Sequence, residues 1–360
     1  MSKKIAIVVG TRPEIIKFSP IIRYCEDKKM NYFIIHTGQH YSYEMDKIFF
    51  EELELPQPKY NLEVGSGIYG KQLGAMIKRL QEKLAIEKPD FVLVLGDTNS
   101  TLAGALAARN LGIKICHIES GLRTYELMYE EINRVLIGIH SAYLFAPTEK
   151  SKNNLLREDI PESQIFVTGN TIVDAVFQNL EISKAKSNIL KKLNLEKEKY
   201  FLVTAHRAES VDYKKNLSGI LKGLELIHKE FSMPIIFPIH PRTKNNINKM
   251  SLEIPEGVVV IDPIGYLDIL QLIANSKAVI TDSGGIQEES CILKVPCVTI
   301  REFTERVETL EIGCNTLAGY DAQKILDCTK SMIVKERNWE NPYGDGKASE
   351  RIMNILFNVY

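Results

Sequence analysis

One repeated alternation constrains this chain more than any other feature. Short, almost wholly apolar runs are each followed by a longer stretch with helical spacing, from one end to the other. The runs fall at 5–9, 32–36, 91–95, 114–118, 143–146 and 165–168, and again at 200–204, 234–239, 258–261, 278–281, 297–300 and 316–317. Between them, apolar residues recur three and four apart, most clearly over 71–87, 101–111, 214–230 and 264–275. A strand that is apolar on consecutive positions must bury both faces, which a parallel sheet does when helices cover each side. A chain of 360 residues exceeds what one core normally holds, so two such sheets are expected. The periodicity loosens between 179 and 199, where Lys, Glu, Ser and Asn dominate. The expectation is an α/β chain of two Rossmann-like domains, 1–172 and 173–345, facing one another across a cleft.

Composition narrows the function classes. The chain is 44% apolar and 25% charged with a net charge of -1, so no basic excess points to nucleic acid. No apolar run is long enough to span a bilayer, and MSKK before IAIVVG lacks the apolar core and cleavage site of a signal peptide. The six cysteines (25, 116, 291, 297, 314 and 328) form no CxxC pair and lie mostly in or beside apolar segments, as expected of reduced, buried thiols in a cytoplasm. No HxxxH or carboxylate-spaced cluster argues for a metal.

In open parallel sheets the ligand lies at the carboxyl ends of the strands, so polar residues directly after the apolar runs are the ones that matter. The richest such end is AVITDSGGIQEES at 278–290. Ser283, Gly284 and Gly285 form a strand-to-helix turn whose free N–H groups and positive dipole end suit a phosphate or diphosphate. Glu289, further along, suits the vicinal hydroxyls of a ribose; taken alone, a helix simply capped by Ser283 explains the turn as well.

Other ends carry chemistry too. Gly10-Thr11-Arg12-Pro13 follows the first run, with Pro13 suited to a first helical position. Arg12 and, one turn on, Lys17 are placed to grip a pyrophosphate, the one as a planar fork and the other as a point charge. Asp97 and Thr98 follow the third run, and Glu119 the fourth. Glu130-Glu131 then opens a helix with Arg134 one turn on. Each acid has a structural reading, as a helix cap or a dipole partner, but three carboxylates brought together would raise at least one pKa, as acid/base chemistry requires. Two consecutive strands in the second half deliver His206 and His240 to the same edge. His36, His40, His117, His140 and His228 have weaker cases.

These residues resemble a known family. GTRPEIIK (10–17), TGQH (37–40), GDTNSTLAGALAA (96–108), HIESGLRT (117–124), EEINR (130–134), AHRAES (205–210), IHPR (239–242), TDSGGIQEES (281–290) and TERVE (304–308) appear in order and cover nearly the whole chain. The set is similar to the non-hydrolysing UDP-N-acetylglucosamine 2-epimerases. The resemblance implies a GT-B-like pair of domains in a homodimer, with the C-terminal helix 346–360 rejoining the first domain. It implies a UDP-sugar substrate and the interconversion of UDP-GlcNAc and UDP-ManNAc. Asp97, Glu119 and Glu130 match the acid/base positions, and His206 sits by the diphosphate. Arg12, Lys17, Ser283, Gly284, Gly285 and Arg306 match phosphate- or substrate-binding positions. Glu289 matches the ribose-binding glutamate, and Tyr266 and Ile269 border the uracil. Arg134 and His240 also match. The family route expels UDP from C1, leaves an enzyme-bound 2-acetamidoglucal, moves the C2 proton between acids and re-adds UDP, with no redox cofactor.

The chain departs from the pattern in places. Tyr129 stands where proline commonly precedes the EE pair, and the stretch from Glu119 to Glu130 is short, which leaves Glu130 and Glu131 both open for the third acid. Tyr41 follows the QH pair where many bacterial members have arginine, which speaks against an allosteric substrate site of the bacterial kind. Val307 and GDTNSTLAGALAA also resemble 2-epimerases acting on UDP-2,3-diacetamido-2,3-dideoxy-glucuronic acid. Further alternatives are a hydrolysing 2-epimerase, for which Thr98 replaces the usual arginine after the GD pair, a UDP-sugar glycosyltransferase and a silent nucleotide-sugar binder.

Overall fold

A computed structural model of the chain describes residues 3–39, 43–124 and 128–358. It divides into two compact units, Met1–Gln178 with Tyr343–Tyr360, and Asn179–Pro342. Each is an all-parallel sheet with helices between successive strands. In the first, β1 (Lys4–Val9), β2 (Asn31–His36), β3 (Tyr60–Asn61), β4 (Phe91–Leu95), β5 (Lys114–Ile118), β6 (Tyr143–Ala146) and β7 (Ile165–Val167) lie in the order β3-β2-β1-β4-β5-β6-β7. In the second, β8 (Phe201–Thr204), β9 (Ile235–Pro238), β10 (Val258–Ile261), β11 (Val279–Thr281), β12 (Cys297–Thr299) and β13 (Asn315–Leu317) lie in the order β10-β9-β8-β11-β12-β13. All twelve apolar runs are strands, with ends shifted by a residue or so. The extra strand, β3, is two residues long and preceded by Pro56 and Pro58, too short to carry a period.

The central strands run apolar on consecutive positions because both of their faces are covered. Ile5, Ala6, Ile7, Val8 and Val9 are all buried, and Ile7 pairs with Ile34 on one side and Leu93 on the other. The Tyr69–Glu87 helix turns Met76, Leu80 and Leu84, spaced four apart, onto Val92, Val94 and the alanine-rich Asn99–Asn110 helix. Truncating a fully buried side chain such as Leu80 to alanine costs about 2–5 kcal/mol. The Arg12–Asp27 helix runs through Pro20, which has no N–H for the Ile16 carbonyl, and the Ser19 hydroxyl donates to that carbonyl instead at 2.8 Å. In the same unit, Asp174 accepts from the backbone N–H of Ala348 and Ser349 at 3.2 and 2.9 Å, which fixes the start of the Ala348–Asn358 helix. Among the described residues no helix is long and apolar enough to cross a membrane, and all six thiols are free, five of them buried.

Candidate active site

Sheet order decides where each unit can hold a ligand. In the first, growth of the sheet reverses between β1 and β4; in the second, it reverses between β8 and β11. The strand ends on either side of such a reversal splay apart and leave a crevice. Gly10 and Gly96 leave the first pair, and His206 and Asp282-Ser283-Gly284 leave the second.

In the first unit the two turns meet closely. A Cβ on Gly10 would stand 1.9 Å from Ser100 Oγ and 2.3 Å from Thr37 Oγ1, so only glycine fits there. Gly96 takes φ +74°, which lets the chain turn sharply into Asp97. Asp97 is held at both ends. The Arg134 guanidinium donates to Oδ2 from Nε and Nη2 at 2.9 and 2.6 Å, and Asn133 Nδ2 donates to the Asp97 carbonyl at 2.8 Å. His117 fixes the preceding residue: its Nε2 is 2.8 Å from the Gly96 carbonyl, which can only accept, so that nitrogen carries the hydrogen. Burial pushes His117 down to about 4, and the ring is neutral at pH 7.

Glu119 takes φ +62°, an uncommon conformation for a residue with a side chain. Its carboxylate oxygens lie 2.8 and 2.6 Å from Lys17 Nζ, and both side chains are buried. Lys17 therefore grips an acid of its own unit. Arg12 is half-buried, its guanidinium 5.8 Å from the centroid of the Phe49 ring. Of the two candidates for the third acid, Glu131 joins the cluster and Glu130 points to solvent. Glu131 Oε2 accepts from Arg134 Nη1 at 2.8 Å and from the Thr124 N–H at 3.1 Å. Burial opposes ionisation of Glu131, but the Thr124 and Arg134 hydrogen bonds outweigh it and hold the carboxyl below its usual range. Arg134 thus orients two acids, Asp97 and Glu131, with one fork.

In the second unit Asp282, fully buried, organises the crevice. Oδ2 accepts the backbone N–H of His206 and Arg207 at 2.7 and 2.8 Å, and Oδ1 lies 3.1 Å from His206 Nδ1. Burial alone would raise Asp282, yet the His206 side chain and these N–H groups hold it low. The His206 and His240 rings stand 5.7 Å apart. His240 Nδ1 accepts the Arg242 N–H at 3.1 Å; burial, His206 and Arg242 all depress its pKa. Ser283 begins the Gly284–Ile292 helix, but its hydroxyl makes no capping bond, so the simple capped-helix reading fails. The Arg306 guanidinium carbon lies 3.8 Å from where a Gly284 Cβ would sit, and Arg306 Nε is 2.7 Å from Glu288 Oε1. A polar bracket sets that loop: Thr304 and Asn315 both donate to Gln287 Oε1, at 2.6 and 3.1 Å. Gly285 is partly open and Glu289 buried on the same helix, while Tyr266 is buried and Ile269 half-buried at the start of the Tyr266–Asn275 helix.

The first unit thus pairs Asp97 with Arg134 and Glu119 with Lys17, and the second places His206 beside His240 and Arg306 beside Gly284, which follows Ser283. Motif reading gave no role to Asn133, His117 or Asp282. It also passed over Arg301, which is 2% exposed and paired with Glu209 and Glu305, each at 3.0 Å. Asp282 and Arg301 each follow a buried apolar strand, the signal that singled out Glu119. His40 and Tyr41 lie outside the described residues.

A family model described as UDP-N-acetylglucosamine 2-epimerase matches residues 23–357. The chain belongs to that family. It is 52% identical over 360 residues to the UDP-N-acetylglucosamine 2-epimerase of Methanocaldococcus jannaschii, covering 98% of each chain. It is 37% identical to the UDP-2,3-diacetamido-2,3-dideoxy-D-glucuronate 2-epimerase of Pseudomonas aeruginosa, over 98% of this chain and 99% of that one. The crystal structure of the M. jannaschii UDP-GlcNAc 2-epimerase in complex with UDP-GlcNAc and UDP superposes with a TM-score of 0.89 at 52% identity, covering 99% of each chain. The fold is the GT-B-like α/β plan of these epimerases.

Proposed function

We propose that this chain interconverts UDP-GlcNAc and UDP-ManNAc by detaching and re-adding UDP. The observation that carries the reading is the 52% identity, end to end, with an enzyme of that name. The hydrogen on C2 has no adjacent carbonyl to acidify it, so direct deprotonation would need a base far stronger than a carboxylate. Breaking the C1–oxygen bond first removes that obstacle. The developing diphosphate charge suits the Gly284–Ile292 helix N-terminus, with Ser283, Gly284, Gly285, Arg306 and His206 around it. Glu289 suits the ribose, and Tyr266 and Ile269 the uracil. Asp97 and Glu119 are assigned the C2 proton transfers, with Glu131 rather than Glu130 as the third acid, because Glu131 shares Arg134 with Asp97. Arg12 and Lys17 add positive charge, Lys17 through its bond to Glu119.

Incubating the protein with UDP-GlcNAc in deuterium oxide tests this by NMR. UDP-ManNAc carrying deuterium at C2 supports it. Free ManNAc indicates hydrolysis, and no exchange in UDP-GlcNAc but exchange in the diacetamido-uronate nucleotide indicates the other substrate. A nucleotide-sugar substrate and six free thiols also suit a cytoplasmic enzyme.

The homodimer belongs to the same proposal. Tyr129, Ile132, Leu136 and Ile139, spaced three and four apart on the Tyr129–His140 helix, are 66%, 50%, 38% and 60% exposed. Tyr129 stacks on Tyr69 at 5.1 Å, beside Ile68, which is 82% exposed. Such an apolar face suits a second copy of the chain. Ile132→Asp with Ile139→Asp should sediment as a monomer; an unchanged mass would exclude this face.

A further inference from the structure

Glu14 sits in the first turn of the Arg12–Asp27 helix, 2% exposed, and touches both turns that flank the β1/β4 reversal. Its Oε2 accepts the backbone N–H of Gly10 at 2.7 Å and of Thr11 at 2.8 Å, and the Thr11 hydroxyl at 3.1 Å. Its Oε1 lies 2.6 Å from Thr98 Oγ1 and 2.9 Å from Thr101 Oγ1. The hydrogens can be counted. Thr101 Oγ1 is also 2.7 Å from the Leu95 carbonyl, the shorter of its two contacts with an acceptor, and the one hydroxyl hydrogen of Thr101 is assigned there. With that assignment the contact between Thr101 and Glu14 is bridged by a hydrogen from Glu14. Thr98 donates to the same Oε1 while its own oxygen accepts the Thr101 N–H at 3.2 Å. A carboxylic acid with its hydrogen on Oε1 fills every contact that Glu14 makes and leaves only the Thr98–Thr101 hydroxyl pair, 3.1 Å apart, without a hydrogen of its own; a carboxylate leaves in addition two lone pairs facing each other at 2.9 Å.

We propose that Glu14 is a neutral carboxylic acid that positions Arg12 and Asp97 by tying the turn after β1 to the turn after β4. Burial acts in the same direction, raising Glu14 above its usual range against the hydrogen bonds that favour ionisation. The charged groups on the surrounding elements are engaged elsewhere: Lys17 with Glu119, Asp97 with Arg134, and Arg12 beside Phe49. Glu14 is a positioning residue. Only the turnover readout below rests on the proposed reaction.

Glu14→Gln tests it, because an amide keeps the acid's neutrality and its donor to Thr101. Its oxygen accepts the Gly10 and Thr11 N–H groups, its two N–H hydrogens reach the Thr98 and Thr101 hydroxyls, and the Thr98 hydrogen turns to Thr101 Oγ1, 3.1 Å away. The expected result is a thermal midpoint close to the parent and turnover within about threefold, whereas Glu14→Ala lowers kcat by about tenfold or more with UDP affinity little changed. The infrared spectrum of the parent at neutral pH should contain a protonated-carboxyl C=O band that Glu14→Gln removes. Glu14→Gln failing to fold, losing as much turnover as Glu14→Ala, or leaving that band unchanged would overturn the proposal. If the parent does not epimerise, the proposed function fails, and the band and the thermal midpoint still decide the state of Glu14.

Discussion

Replacing Lys17 with methionine isolates a buried ion pair of the first unit. The Lys17 and Glu119 side chains are only 10% and 5% exposed, and the ammonium reaches both carboxylate oxygens. Methionine fills most of the lysine volume, so the loss comes from stranding a buried carboxylate rather than from a cavity. Breaking one side of such a pair costs about 3–5 kcal/mol, a large fraction of a typical net stability of about 5–15 kcal/mol. In a unit of this size that lowers the thermal midpoint by roughly 6–20 °C. Adding Glu119→Gln removes the stranded charge and should return about 2 kcal/mol or more. Urea unfolding followed by circular dichroism gives the numbers. The single tryptophan, Trp339, lies in the second unit, so its fluorescence is an internal control expected to move little. A loss below about 1 kcal/mol, or a double variant no more stable than Lys17→Met, would mean the pair is solvated and the reasoning wrong.

Other substitutions reach the remaining parts of the account. Asp97→Asn and Glu119→Gln should each abolish turnover while UDP affinity, measured by calorimetry, stays within about fivefold; near-normal turnover in either would remove that residue from the chemistry. His117 is depressed to about 4 from an unfolded value of 6.5, so the unfolded chain takes up its proton first as pH falls. That group therefore withdraws stability between about pH 6.5 and 4, by about 3 kcal/mol in total, and His117→Gln should flatten that part of the curve; parallel curves would contradict it. Asp282→Asn weakens two charge-assisted bonds to the His206 and Arg207 N–H groups and should cost about 1.5–3 kcal/mol, read from the Trp339 transition.

Strands and crevices were legible in the sequence for one physical reason. A strand buried on both faces must be apolar throughout, so the polar residue that ends it is conspicuous. That rule picked out Asp97, Glu119, His206 and Ser283 at strand ends, with Asp97, His206 and Ser283 flanking the sheet reversals. What escaped is what depends on angle rather than order. Glu130 and Glu131 are neighbours in sequence but point about 100° apart on a helix, and only the second faces Arg134. Lys17 reads as a phosphate ligand by spacing, but its partner Glu119 is 102 residues away and is turned toward it by a left-handed backbone. Asp282 was visible as an acid in a glycine-rich turn; that it holds two backbone N–H groups is tertiary information. The Ala348–Asn358 helix, packed on the Arg12–Asp27 helix, has no local signal of where it lies; its return to the first unit was implied by the family resemblance alone.

Placing heavy oxygen in the bridge between the sugar and the β-phosphate of UDP-GlcNAc tests the central claim most directly. If the C1–oxygen bond breaks and re-forms at the site, the label scrambles into the non-bridging β-phosphate oxygens as UDP-ManNAc accumulates, and the phosphorus NMR shifts follow it. Epimerisation with the label still confined to the bridge would contradict the account.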